Sequence, residues 1–482
     1  MIVALNSPGF SYDVHSLVKA FYPSEDVSIV SDGEADKADI SVHVSAGDIG
    51  DGLSSGTIRV SSAGAFSEEE YEDLPRSEVK NLLKRTLYDV LCRLTAKILP
   101  WGTMTGIRPV KVPMKLINEG ADDEAVRRYM KSVYMCSDEK IALATQIAHT
   151  EKKVIDSLLP KGYSLYIGIP FCPTTCLYCS FTSYPIASWS GRTDEYLRAL
   201  KSELSFFSDH YKDRCCDSIY IGGGTPTTLS AAQLSDLIGF VKESFDISHL
   251  REFTVEAGRP DSITDEKLVA LFDGKVTRIS INPQTMNDKT LRLIGRRHTV
   301  DDVYSAFDAA RRVGFSNINT DLILGLPGED ESDVANTFAK IKELAPESIT
   351  IHSMAIKRAA AMQQFLDENS NISCQNTPQM MQMAHDLASS LGLVPYYLYR
   401  QKNMAGNFEN VGFSQEDSPG IYNIVIMEEI TDIAAAGAGT ISKRVFDDGR
   451  IERCDNVKDV GLYIERIEEM IDRKKKLFSE GE

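Results

Sequence analysis

Residues 166–181 read YIGIPFCPTTCLYCSF. The apolar run Leu165–Ile169, closed by Pro170, has the composition of a short buried strand. Directly after it, Cys172, Cys176 and Cys179 stand in the spacing C-x3-C-x2-C. A compact loop can turn three such thiolates toward one centre. A closed structural zinc site takes four ligands, and no fourth Cys or His lies nearby in the sequence. A [4Fe–4S] cube that only carries electrons takes four cysteines. Three leave one iron open to a non-protein ligand. The spacing alone is also met by three chance cysteines or by a zinc loop short of a ligand.

Outward from this loop, strand-like runs recur at Leu165–Ile169, Ser218–Ile221, Glu252–Glu256, Arg278–Ile281, Asn317–Leu322 and Ser348–His352. Helical patterns fill the intervals near 192–208, 230–245, 263–273, 300–313 and 331–344. Strands alternating with helices argue for βαβ units and a parallel sheet. When such a sheet curls into a barrel, functional residues gather where strands end. The second strand ends in IYIGGGTPTTL, where Gly222, Gly223 and Gly224 let backbone approach a ligand and Thr225 follows. A tight turn explains a lone glycine run equally well. The next strands end at Glu256, near Gln284 and at Asp321. One such residue reads as a solvated rim; three at successive strand ends converge on one site.

The flanks differ in character. Residues 1–158 read as a small α+β domain, with strands in MIVAL, DVSIV, ISVHV and TIRV and an amphipathic helix over Ser77–Ile98. SEEEYED (67–73) reads as a solvated acidic loop or helix start. Residues 160–360 form the core, and 361–482 a mixed C-terminal part with helices near 360–368, 378–391 and Gly461–Phe478. With 52 basic and 70 acidic residues the net charge is −18. A chain so acidic repels phosphate backbones, which excludes nucleic acid as a main partner. No apolar stretch is long enough to span a bilayer, and the start lacks a basic n-region. The expectation is a cytoplasmic protein without membrane insertion. The other cysteines, Cys215–Cys216 included, read as ordinary half-buried residues. His352, ending the sixth strand, and His298, beside Arg296, are candidates for the substrate side or for plain packing.

The cysteine motif and the strand-end residues resemble the radical S-adenosylmethionine (SAM) superfamily. YIGIPFC, GGGTPT, GRRHT (295–299) and LILGLPGE (322–329) resemble the oxygen-independent coproporphyrinogen III oxidase family. PWGTMTGIRPVK, YYLYRQKN, NFENVG and GAGTISK resemble its HemZ, or coproporphyrinogen dehydrogenase, branch. The resemblance implies an α/β fold, a partial (βα)6 barrel flanked by the two smaller parts. It implies that Cys172, Cys176 and Cys179 hold a [4Fe–4S] cluster. Tyr166, Gly223 and Glu256 then hold the cluster-bound SAM, with Tyr178, Gly224 and Thr225 in the same shell. Gln284, Arg296, Asp321 and Ala355 match the family's positions for a second SAM. Tyr399, Arg400 and Lys402 are our candidates for substrate carboxylates, since Arg and Lys pair well with them. Gln284, Arg296, Asp321 and Arg400 form the catalytic expectation.

The implied activity is oxidative decarboxylation of coproporphyrinogen III to protoporphyrinogen IX. A small electron donor such as flavodoxin or ferredoxin would serve a monomer. One departure matters: the founding enzyme has a fourth Cys two residues after the third, where this chain has Phe181. The haem-carrier branch also lacks it, but its His-Asn-x-x-Tyr-Trp motif is absent, neither Trp101 nor Trp189 following one. A haem carrier and an anaerobic haem-degrading methyltransferase are the alternatives.

Overall fold

A computed structural model describes residues 1–23, 25–31, 38–50, 52–355, 361–369, 372–401 and 408–479. The chain divides into two compact units, Met1–His149 and Thr150–Glu482.

In the first unit β1 (Ile2–Leu5), β2 (Ser28–Val30), β3 (Ile40–Gly50), β4 (Leu53–Ser62) and β5 (Ala65–Pro75) form one sheet in the order β2-β1-β3-β4-β5. Helices Ser11–Phe21 and Arg76–Thr95 cover it, burying Val14, Leu17, Leu83 and Leu87 against Val42, Ile58 and Val60. The acidic stretch 67–73 is neither loop nor helix. It lies within β5, antiparallel to β4, with Glu68 paired to Arg59 across the strands at 2.7 Å. Tyr71 is buried among exposed glutamates, so cross-strand pairing overrides the weak strand propensity of Glu.

The second unit carries β6 (Tyr163–Ile169), β7 (Phe171–Cys172), β8 (Tyr184–Pro185), β9 (Cys216–Gly223), β10 (Glu252–Gly258), β11 (Arg278–Ile281), β12 (Ile318–Leu324), β13 (Ser348–Ser353), β14 (Val394–Tyr399), β15 (Asn410–Ser414), β16 (Asp432–Ala436), β17 (Ile441–Val445) and β18 (Ile451–Asp455). Eleven of them share one sheet in the order β14-β15-β13-β12-β11-β10-β9-β6-β16-β17-β18. β6 and β9–β13 are parallel neighbours, the six strands of an open, partial (βα)6 barrel. Strands from the C-terminal residues extend it on both sides: β15 antiparallel on β13, β16 parallel on β6.

The crossover helices start where their sequences cap them. Ser230 with Gln233, Thr299 with Asp302, and Asp330 with Asp333 form reciprocal capping boxes, satisfying amides the first turn leaves open. Two helices depart from expectation. A short helix, Asp288–Leu293, precedes GRRHT, and the C-terminal helix is two pieces, Val460–Glu465 and Ile467–Ser479. Among the described residues no helix is long and apolar enough to cross a membrane.

Candidate active site

A cavity of about 460 Å³ opens at the C-terminal ends of the parallel strands. Cys172, Cys176, Cys179, Gly223, Gly224, Thr225, Tyr166, Tyr178, Glu256, Gln284, Arg296, Asp321 and Ala355 all line it, with His352 and Tyr399.

The cysteine loop is held at its root by backbone. β7 pairs with β8 through Phe171 and Tyr184, so the loop closes on itself. Gly224 N donates to Ile169 O at 2.8 Å and Thr225 N to Phe171 O at 2.7 Å. A Cβ on Gly224 would lie 2.6 Å from Phe171 O, so close backbone approach requires glycine here. Farther along, Leu177 N donates to Ile294 O at 3.0 Å. Thr225 Oγ1 lies 3.5 Å from Cys172 Sγ, and Arg259 Nη1 3.9 Å from Cys176 Sγ. Burial pushes the Cys172 thiol up to about 11, against the hydrogen bond from Thr225. A bare thiolate is therefore disfavoured there, and a bound metal would supply the missing positive charge.

Glu256 accepts a hydrogen bond from Tyr220 Oη at 2.6 Å. Burial raises its carboxyl to about 7; Tyr220 pulls it down, and the charge of Asp321 pushes it up. The glycine run makes room for it, because a Cβ on Gly222 would lie 2.9 Å from Glu256 Cδ. Tyr220 stacks on Tyr422 at 4.7 Å and on Tyr166 at 6.0 Å, forming an aromatic wall beside the carboxyl.

On the far side, Gln284 sits at φ +72°, a left-handed conformation costly for a side-chain-bearing residue. Its N donates to Asp321 O and its O accepts from Ile323 N, locking it onto β12. Its buried side-chain Oε1 has no hydrogen-bond partner. Asp321 accepts from Asn319 Nδ2 at 2.8 Å and faces His352 Nε2 at 3.7 Å. Burial alone would raise the Asp321 carboxyl; the bond to and charge of His352, with Asn319 and Thr350, hold it below the ordinary value. The other His352 nitrogen, Nδ1, lies 3.4 Å from Tyr399 Oη.

Arg296 is buried, with its guanidinium spent on protein: Nη2 donates to Tyr178 Oη at 3.0 Å and Nη1 to Asn282 O at 2.5 Å. Arg400 is buried at the end of β14 and does not line the cavity; Lys402 lies outside the described residues. His298 is buried 3.9 Å from Asp261, and burial, then Arg296, lower its pKa to about 4, so it packs as a neutral ring. Cys215 donates to Asp246 and Cys216 is buried, neither lining the cavity. Sequence reasoning missed Tyr220, Arg259 and Arg278 on the cavity wall. Tyr220 stands two residues before Gly222, on the same strand face, and that alternation was its available signal.

These donors fit a cube with one open iron. Three thiols meet one cavity, a hydroxyl approaches the sulfur of Cys172 and a guanidinium that of Cys176, and Phe181 lines the same cavity. Among the described residues no group of three or more His, Cys, Asp or Glu side chains is arranged to hold a metal ion. The three ligands of a cube bind different irons and stand wider apart than ligands of one ion. Glu256 and the orphaned Gln284 carbonyl are acceptors suited to an ammonium group such as that of SAM.

The radical SAM superfamily model matches residues 166–341. The oxygen-independent coproporphyrinogen-III oxidase-like protein HemZ of Bacillus subtilis (strain 168) is 40% identical over 415 residues, 85% of this chain and 83% of that protein. The heme chaperone HemW of Lactococcus lactis is 39% identical over 205 residues, 42% of this chain and 51% of HemW, so the chain spans about half that relative's length. The structure of coproporphyrinogen III oxidase (HemN) from Escherichia coli, a radical SAM enzyme, superposes with a TM-score of 0.52 at 23% identity, covering 67% of this chain and 73% of that one.

Proposed function

We propose, for a chain that belongs to the radical SAM family of HemZ and HemN, that its cavity oxidatively decarboxylates propionate side chains of coproporphyrinogen III. The family's cofactors, a [4Fe–4S] cluster and SAM, are this chain's cofactors. When bound, they supply a one-electron reductant and a radical that abstracts hydrogen.

The chain's own residues do the rest. Cys172, Cys176 and Cys179, which line the cavity, would hold the cluster. Glu256, fixed by Tyr220, would accept from the SAM ammonium in its ionised form, with Gly223 and Gly224 on the same cavity wall. Gln284 and Asp321 offer acceptors across the cavity, and the His352 ring stands beside Asp321 on that wall. Arg296 braces Tyr178 in the cysteine loop. Tyr166 and Tyr220 on the cavity wall, backed by Tyr422, would limit water at the reacting atoms. Each turnover removes a β-hydrogen atom, carbon dioxide and one electron from a propionate, leaving a vinyl group. A flavodoxin- or ferredoxin-like protein would supply the electron that opens each turnover.

The observation that carries this reading is the identity to HemZ over most of both chains, joined to a cavity that gathers the cysteine loop and five strand ends. The identity to HemW over the core supports a second reading, a haem-binding carrier. Anaerobic incubation of the reconstituted protein with coproporphyrinogen III, SAM and a reductant separates them. A product lighter by two carbon dioxides and four hydrogens supports decarboxylation; haem binding with no turnover supports the carrier.

A further inference from the structure

The cysteine loop has a second anchor outside its ligands. Arg259 follows Glu256 by three residues and is 3% exposed. Its Nε and Nη2 grip both oxygens of Asp261 at 3.0 and 2.7 Å. Its Nη1 donates to Thr174 O at 3.0 Å and Thr174 Oγ1 at 2.7 Å, and lies 3.9 Å from Cys176 Sγ. Thr174 Oγ1 in turn donates to Gly295 O at 3.0 Å. The fork thus joins the Glu256 strand end to the stretch between the first two cysteines.

A guanidinium keeps its charge at any working pH. The cluster becomes one unit more negative when it takes an electron from a donor, with no proton required. In a buried setting a fixed cation near a ligand sulfur favours that reduced state, and a hydrogen bond toward the sulfur acts the same way. Asp261 is the opposing charge on the same fork. We propose that Arg259 is a positioning residue that sets the reduction potential of the cluster, and that Asp261 tempers it. The inference needs the cluster but not the substrate, so it stands apart from the tetrapyrrole reading.

The two charges make the idea testable through opposite signs. Full-length protein is reconstituted anaerobically, iron per chain is counted, and the cluster is titrated with dithionite while its reduced signal is followed by electron paramagnetic resonance. Arg259→Gln should lower the reduced-to-oxidised ratio at a fixed poise by about tenfold, which is ~59 mV for one electron. Asp261→Asn should raise the midpoint, and Arg259→Lys should hold it above that of Arg259→Gln. If Arg259→Gln fails to retain iron, Asp261→Asn decides: a raised midpoint supports the proposal. An unchanged or lowered midpoint in iron-replete Asp261→Asn overturns it, as does an unchanged midpoint in iron-replete Arg259→Gln.

Discussion

Replacing Tyr220 by Phe removes one atom, the hydroxyl that donates to Glu256 at 2.6 Å. The ring stays, so the stacks on Tyr422 and Tyr166 persist. Burial holds Glu256 near 7 even with that bond in place, and the bond is the main influence pulling it down. A hydrogen bond to a charged group is worth ~1.5–3 kcal/mol, and one pKa unit is ~1.36 kcal/mol, so its loss lifts the carboxyl by about one to two units. The sign follows from which form binds. Ionised Glu256 accepts from an ammonium; protonated Glu256 does not. SAM affinity should therefore rise with pH through about 7 in the natural protein. In Tyr220→Phe the rise moves to higher pH. At pH 7.5 the ionised fraction drops about 3- to 25-fold, and affinity with it, for shifts of that size. Isothermal titration of SAM into the reconstituted protein across pH 6–9.5 reads this directly. Glu256→Gln should give a flat, weak profile at full iron content. An unshifted profile in Tyr220→Phe would refute the claim that this hydroxyl keeps Glu256 ionised.

Other outcomes follow from the same contacts. Alanine at Cys172, Cys176 or Cys179 should strip most of the iron and its colour, whereas alanine at Cys215 or Cys374 should not; iron retained in all three would end the ligand assignment. Gly224→Ala forces a Cβ against the Ile169 and Phe171 backbone, so about 1–3 kcal/mol of stability should be lost, seen as a lower melting temperature with the cluster loop disturbed. Lys474 is fully buried on Glu203 at 2.5 Å, and Lys474→Ala leaves that carboxylate without its cation; chemical denaturation should show a loss of about 3–5 kcal/mol while SAM binding by the folded protein is kept. His352→Gln should raise the KM for coproporphyrinogen, with SAM cleavage in the absence of porphyrin unchanged; if both fall together, the ring is structural.

The parts of this molecule legible in its sequence are those governed by local rules. The six parallel strands show as Ile- and Val-rich runs between capped helices, and the strand Arg278–Ile281 agrees to the residue. The candidate site was legible as a place because barrel geometry brings strand ends together, so that Cys172, Gly223, Glu256 and Asp321 line one cavity though far apart in the chain. What was hidden depends on partners distant in sequence. Residues 67–73 are strand only because β4 lies beside them. β16 is an alanine-rich run whose neighbour is β6, more than two hundred residues earlier by numbering. The aromatic wall needs Tyr422, carried by the helix Ile421–Glu428 that no motif announces. Arg400 reads in sequence as a cation for a substrate, yet burial at the end of β14 keeps it from the cavity wall.

The central claim is that this cavity removes hydrogen from a propionate of coproporphyrinogen III. Its most direct test is substrate carrying deuterium at the propionate β positions, given to the reduced, SAM-loaded protein under anaerobic conditions. The account predicts deuterium in the 5′-deoxyadenosine formed, accompanied by carbon dioxide and a vinyl-bearing product. Unlabelled 5′-deoxyadenosine beside intact coproporphyrinogen would contradict it.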